Sequence, residues 1–94
     1  MAKSILQKGK FCYKCGNTLN LQLHHVYYGT ANRKLSDLDG CVVWLCLEHH
    51  TGNSGIHFNK KLDIEVKQIM QRKWMETYNK TLEDFRNRYG KSYI

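Results

Sequence analysis

Cys12-x-x-Cys15 and Cys46-x-x-His49, thirty residues apart, are the feature that most limits what this chain can fold into. Two residues between ligands let a tight turn aim both side chains at one ion, and two such knuckles complete a tetrahedron. A chain of 94 residues, 41% hydrophobic, supports one domain whose core is expected to need a staple. No apolar segment followed by a cleavage site and no run near 18 apolar residues is present, so neither a signal peptide nor a membrane span is expected. The expected location is therefore cytoplasmic. In that compartment the cysteine pattern reads as a closed structural zinc site of Cys12, Cys15, Cys46 and His49 rather than as disulfides. Buried free thiols or a redox pair are the alternatives. The second knuckle is unnecessary for redox work, and no thioredoxin-like βαβ pattern surrounds the first. Cys41 is left over, either as a small buried hydrophobe or as a replacement for one ligand.

The hydrophobic pattern predicts an α+β chain. Gly16-Asn17 marks a turn before a strand, NLQLHH, and CVVWLC at 41–46 is a second, β-branched strand. Residues 26–40 read as a polar loop with a helical turn starting near Ser36. From Leu62 the spacing of Val66, Ile69, Met70, Trp74 and Tyr78 predicts a helix with a core-facing stripe. Thr81 and Asp84 have capping-box spacing for a second short helix that Gly90 ends. Three parts follow: a basic arm over 1–10, a metal-binding core over 11–60, and a helical extension over 61–94 packed on that core.

Four of the five histidines occur in two adjacent pairs, His24-His25 and His49-His50. If His49 faces the zinc, His50 points elsewhere and is free for a second site, with His24 or His25 and with His57 folded back by the TGNSG loop. Three imidazoles without cysteine suit a divalent ion that keeps open positions for water and substrate oxygens. A neutral imidazole also has an ordinary pKa of about 6.5, where a general base works best. The simpler alternative has one pair on the surface and the other supplying only a zinc ligand.

CYKCG, LQLHHV and LCLEHHTGNSGIH, in that order over residues 11–60, resemble the HNH, or ββα-metal (His-Me finger), endonucleases with a built-in zinc knuckle. They resemble in particular small phage-borne HNH proteins, and more distantly the phage RecA-dependent recombination-enhancement nucleases. The resemblance implies a ββα-metal domain holding one divalent ion, Mg2+ or Mn2+, with Zn2+ or Ni2+ as substitutes. His24, His50 and His57 would be its ligands, with Asn53 competing for the last position, and His25 would be the general base. It implies a phage-encoded enzyme in the bacterial cell that cuts DNA with little sequence specificity, with a recombination or packaging protein as a further partner. Where that family usually has an asparagine, five residues before the knuckle cysteine, this sequence has Cys41. Holding the hairpin loop then falls to Asp37 or Asp39.

The balance of 15 Lys+Arg against 8 Asp+Glu, net +7, suits an anionic partner. Arg33 and Lys34 are expected in the loop between the strands, in reach of phosphates. Lys60, Lys61, Lys67, Arg72 and Lys73 on the long helix, then Arg86, Arg88 and Lys91 with Tyr89 and Tyr93, suit phosphate contact with stacking. An ordinary solvated face is the alternative for each group. Two other functions use the same residues: a non-catalytic zinc-knuckle DNA-binding protein, and a phage regulator that binds a host protein through Trp44 or Trp74. Neither needs a base beside a ligand, which is what His24-His25 supplies.

Overall fold

The computed structural model describes residues 3–52 and 55–94. In chain order they form β1 (Leu21–His25), α1 (Thr30–Asp39), β2 (Val42–Cys46), α2 (Leu47–His50), α3 (Lys60–Tyr78) and α4 (Leu82–Tyr89). This is a small α+β fold built on one antiparallel strand pair. The register places Leu23 opposite Trp44, with His24 opposite Val43 and His25 opposite Val42. Because side chains alternate, Leu21, Leu23, His25, Val42, Trp44 and Cys46 share one face of the sheet, and Gln22, His24, Val43 and Leu45 the other. No helix among the described residues is long and apolar enough to cross a membrane.

Both strands lie where the β-branched and alternating runs predict them. The segment between them does not match its expectation: residues 30–39 are a helix, not a loop with one turn. The inward face of α1 carries Asn32, Leu35, Ser36 and Asp39, so it has helical spacing but little apolar character. It is held by polar contacts instead. Ser36 Oγ accepts from Tyr27 N–H (3.1 Å) and donates to the Tyr27 carbonyl (2.7 Å), and Asn32 Nδ2 donates to the Tyr89 carbonyl (3.1 Å). Gly40 ends the helix in the left-handed region (φ 76°), where a Cβ would clash with the backbone oxygen of Lys3.

Residues 3–10, read from sequence as a basic arm, lie along the outer edge of β2. Ile5 N–H donates to the Gly40 carbonyl (2.9 Å), and the buried Gln7 side chain accepts from Trp44 N–H (2.7 Å) and donates to the Phe11 carbonyl (2.7 Å). Tyr13 N–H takes the Trp44 carbonyl (2.8 Å). The open edge of a two-stranded sheet is thereby satisfied by side chain and knuckle rather than by a third strand.

One core runs through the chain. Cys12, Val26, Tyr27, Val43, Leu45 and Cys46 meet Leu62, Val66, Met70 and Trp74 from α3 and Phe85 and Tyr89 from α4. Of the predicted α3 stripe, Leu62, Val66, Met70 and Trp74 are buried, Ile69 is only half-buried, and Tyr78 is exposed at the helix end. Thr81 caps α4 in a complete capping box with Asp84, and Gly90 stops it (φ 85°). The Asp39 carboxylate binds α1 to both C-terminal helices. It accepts from Trp74 Nε1 (2.9 Å), Arg88 Nε (2.6 Å) and Nη2 (2.8 Å), and Tyr89 OH (2.8 Å).

Candidate metal centres

The first knuckle is shaped by its own backbone. Cys12 N–H donates to the Asn17 carbonyl and Gly16 N–H to the Cys12 carbonyl, each at 2.8 Å, with Gly16 in the left-handed region (φ 79°). The second knuckle is the end of β2 running into α2. Together they bring Cys12, Cys15, Cys46 and His49 into a cluster that can hold a metal ion, compatible with structural zinc. Cys15 Sγ lies 3.8 Å from Cys46 Sγ, and His49 Nδ1 lies 3.2 Å from Cys46 Sγ and 3.8 Å from Cys12 Sγ. A tetrahedron with zinc–sulfur bonds of about 2.3 Å has sulfur–sulfur edges of about 3.8 Å, so the donors stand at ligating distance and far beyond disulfide length. Burial alone would raise the Cys12 thiol, but the backbone N–H groups of Cys46, Cys15 and Lys14 outweigh it and lower it to about 6, toward the thiolate a metal needs. Cys41 is no part of the cluster. It is buried beside Tyr89, whose OH lies 3.5 Å from Sγ, and burial pushes its thiol up to about 12.

On the opposite sheet face a second cluster gathers His24 from β1, His50 from the end of α2 and His57 from the segment before α3. His57 reaches it because the backbone doubles back: Ile56 N–H donates to the His49 carbonyl (2.8 Å), and Gly55 approaches the His50 carbonyl so closely that a Cβ would clash. The ring nitrogens Nε2 of His50 and His57 are 3.1 Å apart. His50 Nδ1 faces Gln22 Oε1 at 2.5 Å; an amide oxygen only accepts, so the proton sits on Nδ1 and the Nε2 lone pair faces the cluster. His24 is 3% exposed, and its Nε2 is a buried ring nitrogen without a hydrogen-bond partner. A group of this kind costs free energy unless something binds it, and an ion held with the other two imidazoles would do so. Burial, then the neighbouring His50, His57, His25 and Lys67, depress His24 to about 3, and burial with His57 lowers His50 as well. Asn53, the competing ligand expected from sequence, lies outside the described residues.

His25 sits beside this cluster with a different environment. It points to the other sheet face, half-buried, and its Nε2 lies 3.2 Å from Asp37 Oδ1 on α1. His24, His25, Tyr28, Arg33, His50 and His57 all line one cavity of about 220 Å³. Arg33 therefore reaches the histidines from a helix, not from the loop expected for it, and Lys34 stands exposed on the same helix. The loop-holding role assigned to Asp37 or Asp39 belongs to Ser36, the residue with both backbone bonds; Asp37 instead orients His25 and Asp39 holds the C-terminal helices.

Of the cations expected to grip nucleic acid, Lys60, Lys61 and Arg72 are exposed on α3. Lys73 lies 3.6 Å from Glu76 and Arg86 3.4 Å from Glu83. Arg88 is committed bidentately to Asp39, and Lys67 is buried against Asp63 (2.8 Å) and Tyr28 (3.2 Å). Tyr89 is buried and Tyr93 packs against Tyr27 in the core, so neither is presented for stacking. Sequence reading missed Gln22, Tyr28 and Asp63. Only position could have flagged them, since Gln22 precedes His24 by one full pleat and Asp63 precedes Lys67 by one helical turn.

The fold and its two clusters define a small α+β protein with a Cys3His cluster that can hold a metal ion and a separate cluster of three histidines. Comparison with known proteins found no matching family model, no matching curated protein and no matching solved structure.

Proposed function

We propose that this chain is a metal-dependent endonuclease of the HNH, ββα-metal kind, hydrolysing phosphodiester bonds in DNA with little sequence specificity, with zinc at Cys12, Cys15, Cys46 and His49. The observation that carries this reading is the unpartnered His24 Nε2 converging with His50 and His57, in one cavity with a carboxylate-oriented His25. A cluster built only for stability would not leave a buried nitrogen orphaned beside a second imidazole that is exposed to the cavity.

His24, His50 and His57 would hold the divalent ion, which when bound supplies positive charge against the scissile phosphate and the departing oxygen. Three imidazole nitrogens favour a transition ion such as Mn2+, Ni2+ or Zn2+ over Mg2+, which prefers oxygen ligands. Asp37 accepts the Nε2 proton of His25 and so leaves the Nδ1 lone pair free to take a proton from an attacking water. The same carboxylate then steadies the imidazolium that forms. Arg33, on the cavity wall, adds a cation for the phosphate.

Nicking of supercoiled plasmid by zinc-loaded protein, with no added ion, Mg2+ or Mn2+, tests this directly. Cleavage that needs the added ion, is faster with Mn2+, and falls at least about 100-fold in His25→Ala of equal zinc content is the expected result. Folded, zinc-loaded wild-type protein that cuts neither plasmid nor single-stranded DNA with any of these ions would overturn the reading.

A further inference from the structure

A second concavity, of about 520 Å³, lies at the outer edge of β2 and has no part in the chemistry above. Its floor is the Trp44 indole and its walls are residues 3–10, which bring Lys3, Lys8 and Lys10 round the ring. These lysines are exposed, and none has a carboxylate partner among the described residues. The wall is built: Ser4 Oγ accepts from Leu6 and Gln7 N–H (3.1 and 3.0 Å), and buried Gln7 fastens the segment to the Trp44 backbone. Lys10 Nζ lies 4.6 Å from the indole centroid, over the ring. A long exposed lysine can exchange that contact for a phosphate while a base takes the ring.

The sheet connects this concavity to the histidines. Both Trp44 backbone groups point outward, to Gln7 and Tyr13, so Leu23 and Trp44 form a non-hydrogen-bonded pair with their side chains close together. Leu23 also lines the histidine cavity. His25 follows on the same sheet face, diagonal to Trp44, a relation that in antiparallel sheets spans about 7–8 Å.

We infer that the Trp44–lysine concavity is a subsite for single-stranded DNA, in which one base stacks on the indole and Lys3, Lys8 and Lys10 hold the flanking phosphates, so that the strand runs on over Leu23 to His25. A single strand is the fitting substrate because the faces of its bases are free to stack, whereas a duplex keeps them paired and covered. The direction toward His25 rests on the nuclease reading; the subsite itself does not.

The test is fluorescence anisotropy of a labelled twelve-nucleotide oligothymidine and of a hairpin duplex, with zinc-loaded His25→Ala protein and no added divalent ion, so binding is read without cleavage. Trp44→Leu is expected to weaken oligothymidine binding about 5- to 150-fold, the worth of one stacked base, with Trp44→Phe recovering most of it. Duplex binding should change less than about 2-fold. Lys8→Glu/Lys10→Glu alters exposed side chains only; it should weaken oligothymidine binding and flatten its salt dependence by about two charges. Unchanged oligothymidine affinity in that double variant, or equal losses on duplex and single strand, would overturn the subsite. Oligothymidine binding that depends on Trp44 in a protein that cuts nothing would retain the subsite and remove the nuclease.

Discussion

His24 carries a cost that is visible in a single atom. Its ring is buried, its Nε2 has no partner, and its pKa falls to about 3. The unfolded chain takes up that proton near the ordinary value of about 6.5, whereas the folded protein without an ion in the cluster does not. The unfolded state therefore binds more protons between those values. Stability is complete above about 6.5 and declines as pH falls toward about 3. Urea unfolding of wild type and His24→Leu, without added divalent ion, should show a gap opening below pH 6.5 and reaching about 1 kcal/mol by pH 5.5. Acid loss of zinc is common to both proteins, so the difference reports His24. Its adjacency to His25 was legible in the sequence, and so was their divergence, because neighbours on a strand face opposite ways. The tautomer of His50 was not, since Gln22 is 28 residues away and meets it only across the fold.

Among the elements, α1 shows where pattern reading stops. The strands, α3 and α4 announce themselves through alternation, an apolar stripe and a capping box. Helix α1 has helical spacing on its inward face, but three of those four residues are polar, so hydrophobic periodicity is silent. What holds it is Ser36, fully buried and bonded to both backbone groups of Tyr27. Ser36→Ala would leave a buried N–H and a buried carbonyl without that partner. It is expected to cost about 2–3 kcal/mol in urea unfolding, against a much smaller loss for the exposed Ala31→Ser on the same helix. Because α1 carries Asp37 and Arg33 to the histidine cavity, the proposed nuclease activity should fall more in this variant than its capacity to take up zinc.

Over the whole molecule the metal knuckle and the apolar core are one structure. Cys12 and Cys46 are themselves members of the buried core, together with Phe85 and Tyr89 from the far end of the chain. Removing a zinc ion held by this cluster would therefore do more than open a loop. With structural zinc contributing roughly 10–16 kcal/mol in small domains, chelation or Cys46→Ala is expected to abolish the cooperative thermal transition in circular dichroism. His24→Ala/His50→Ala/His57→Ala should keep that transition and its zinc. A triple variant that unfolded as completely as the zinc-free protein would mean the second cluster is structural.

Net charge behaves differently at this scale than in a residue count. Of the cations on the C-terminal helices, Arg88 neutralises Asp39 and Lys67 neutralises Asp63, while Lys3, Lys8 and Lys10 stand unpaired around Trp44. Among the described residues, cations without a carboxylate partner thus stand at the sheet edge, at Arg33 and Lys34 on α1 and at Lys60, Lys61 and Arg72 on α3, whereas both arginines of α4 are paired.

The sequence by itself determined the two knuckles, the strands that deliver them, the buried face of α3 and the cap of α4. Each depends on residues a few positions apart, where spacing alone sets direction. The grouping of His24, His50 and His57 was also legible there, through the paired histidines and the resemblance; only the tertiary structure decided that Gln22 would face His50, that Asp37 would face His25, and that residues 3–10 would close the edge of β2. Those contacts join groups distant in the chain, and their geometry follows from how the packed elements cross, which no local pattern encodes.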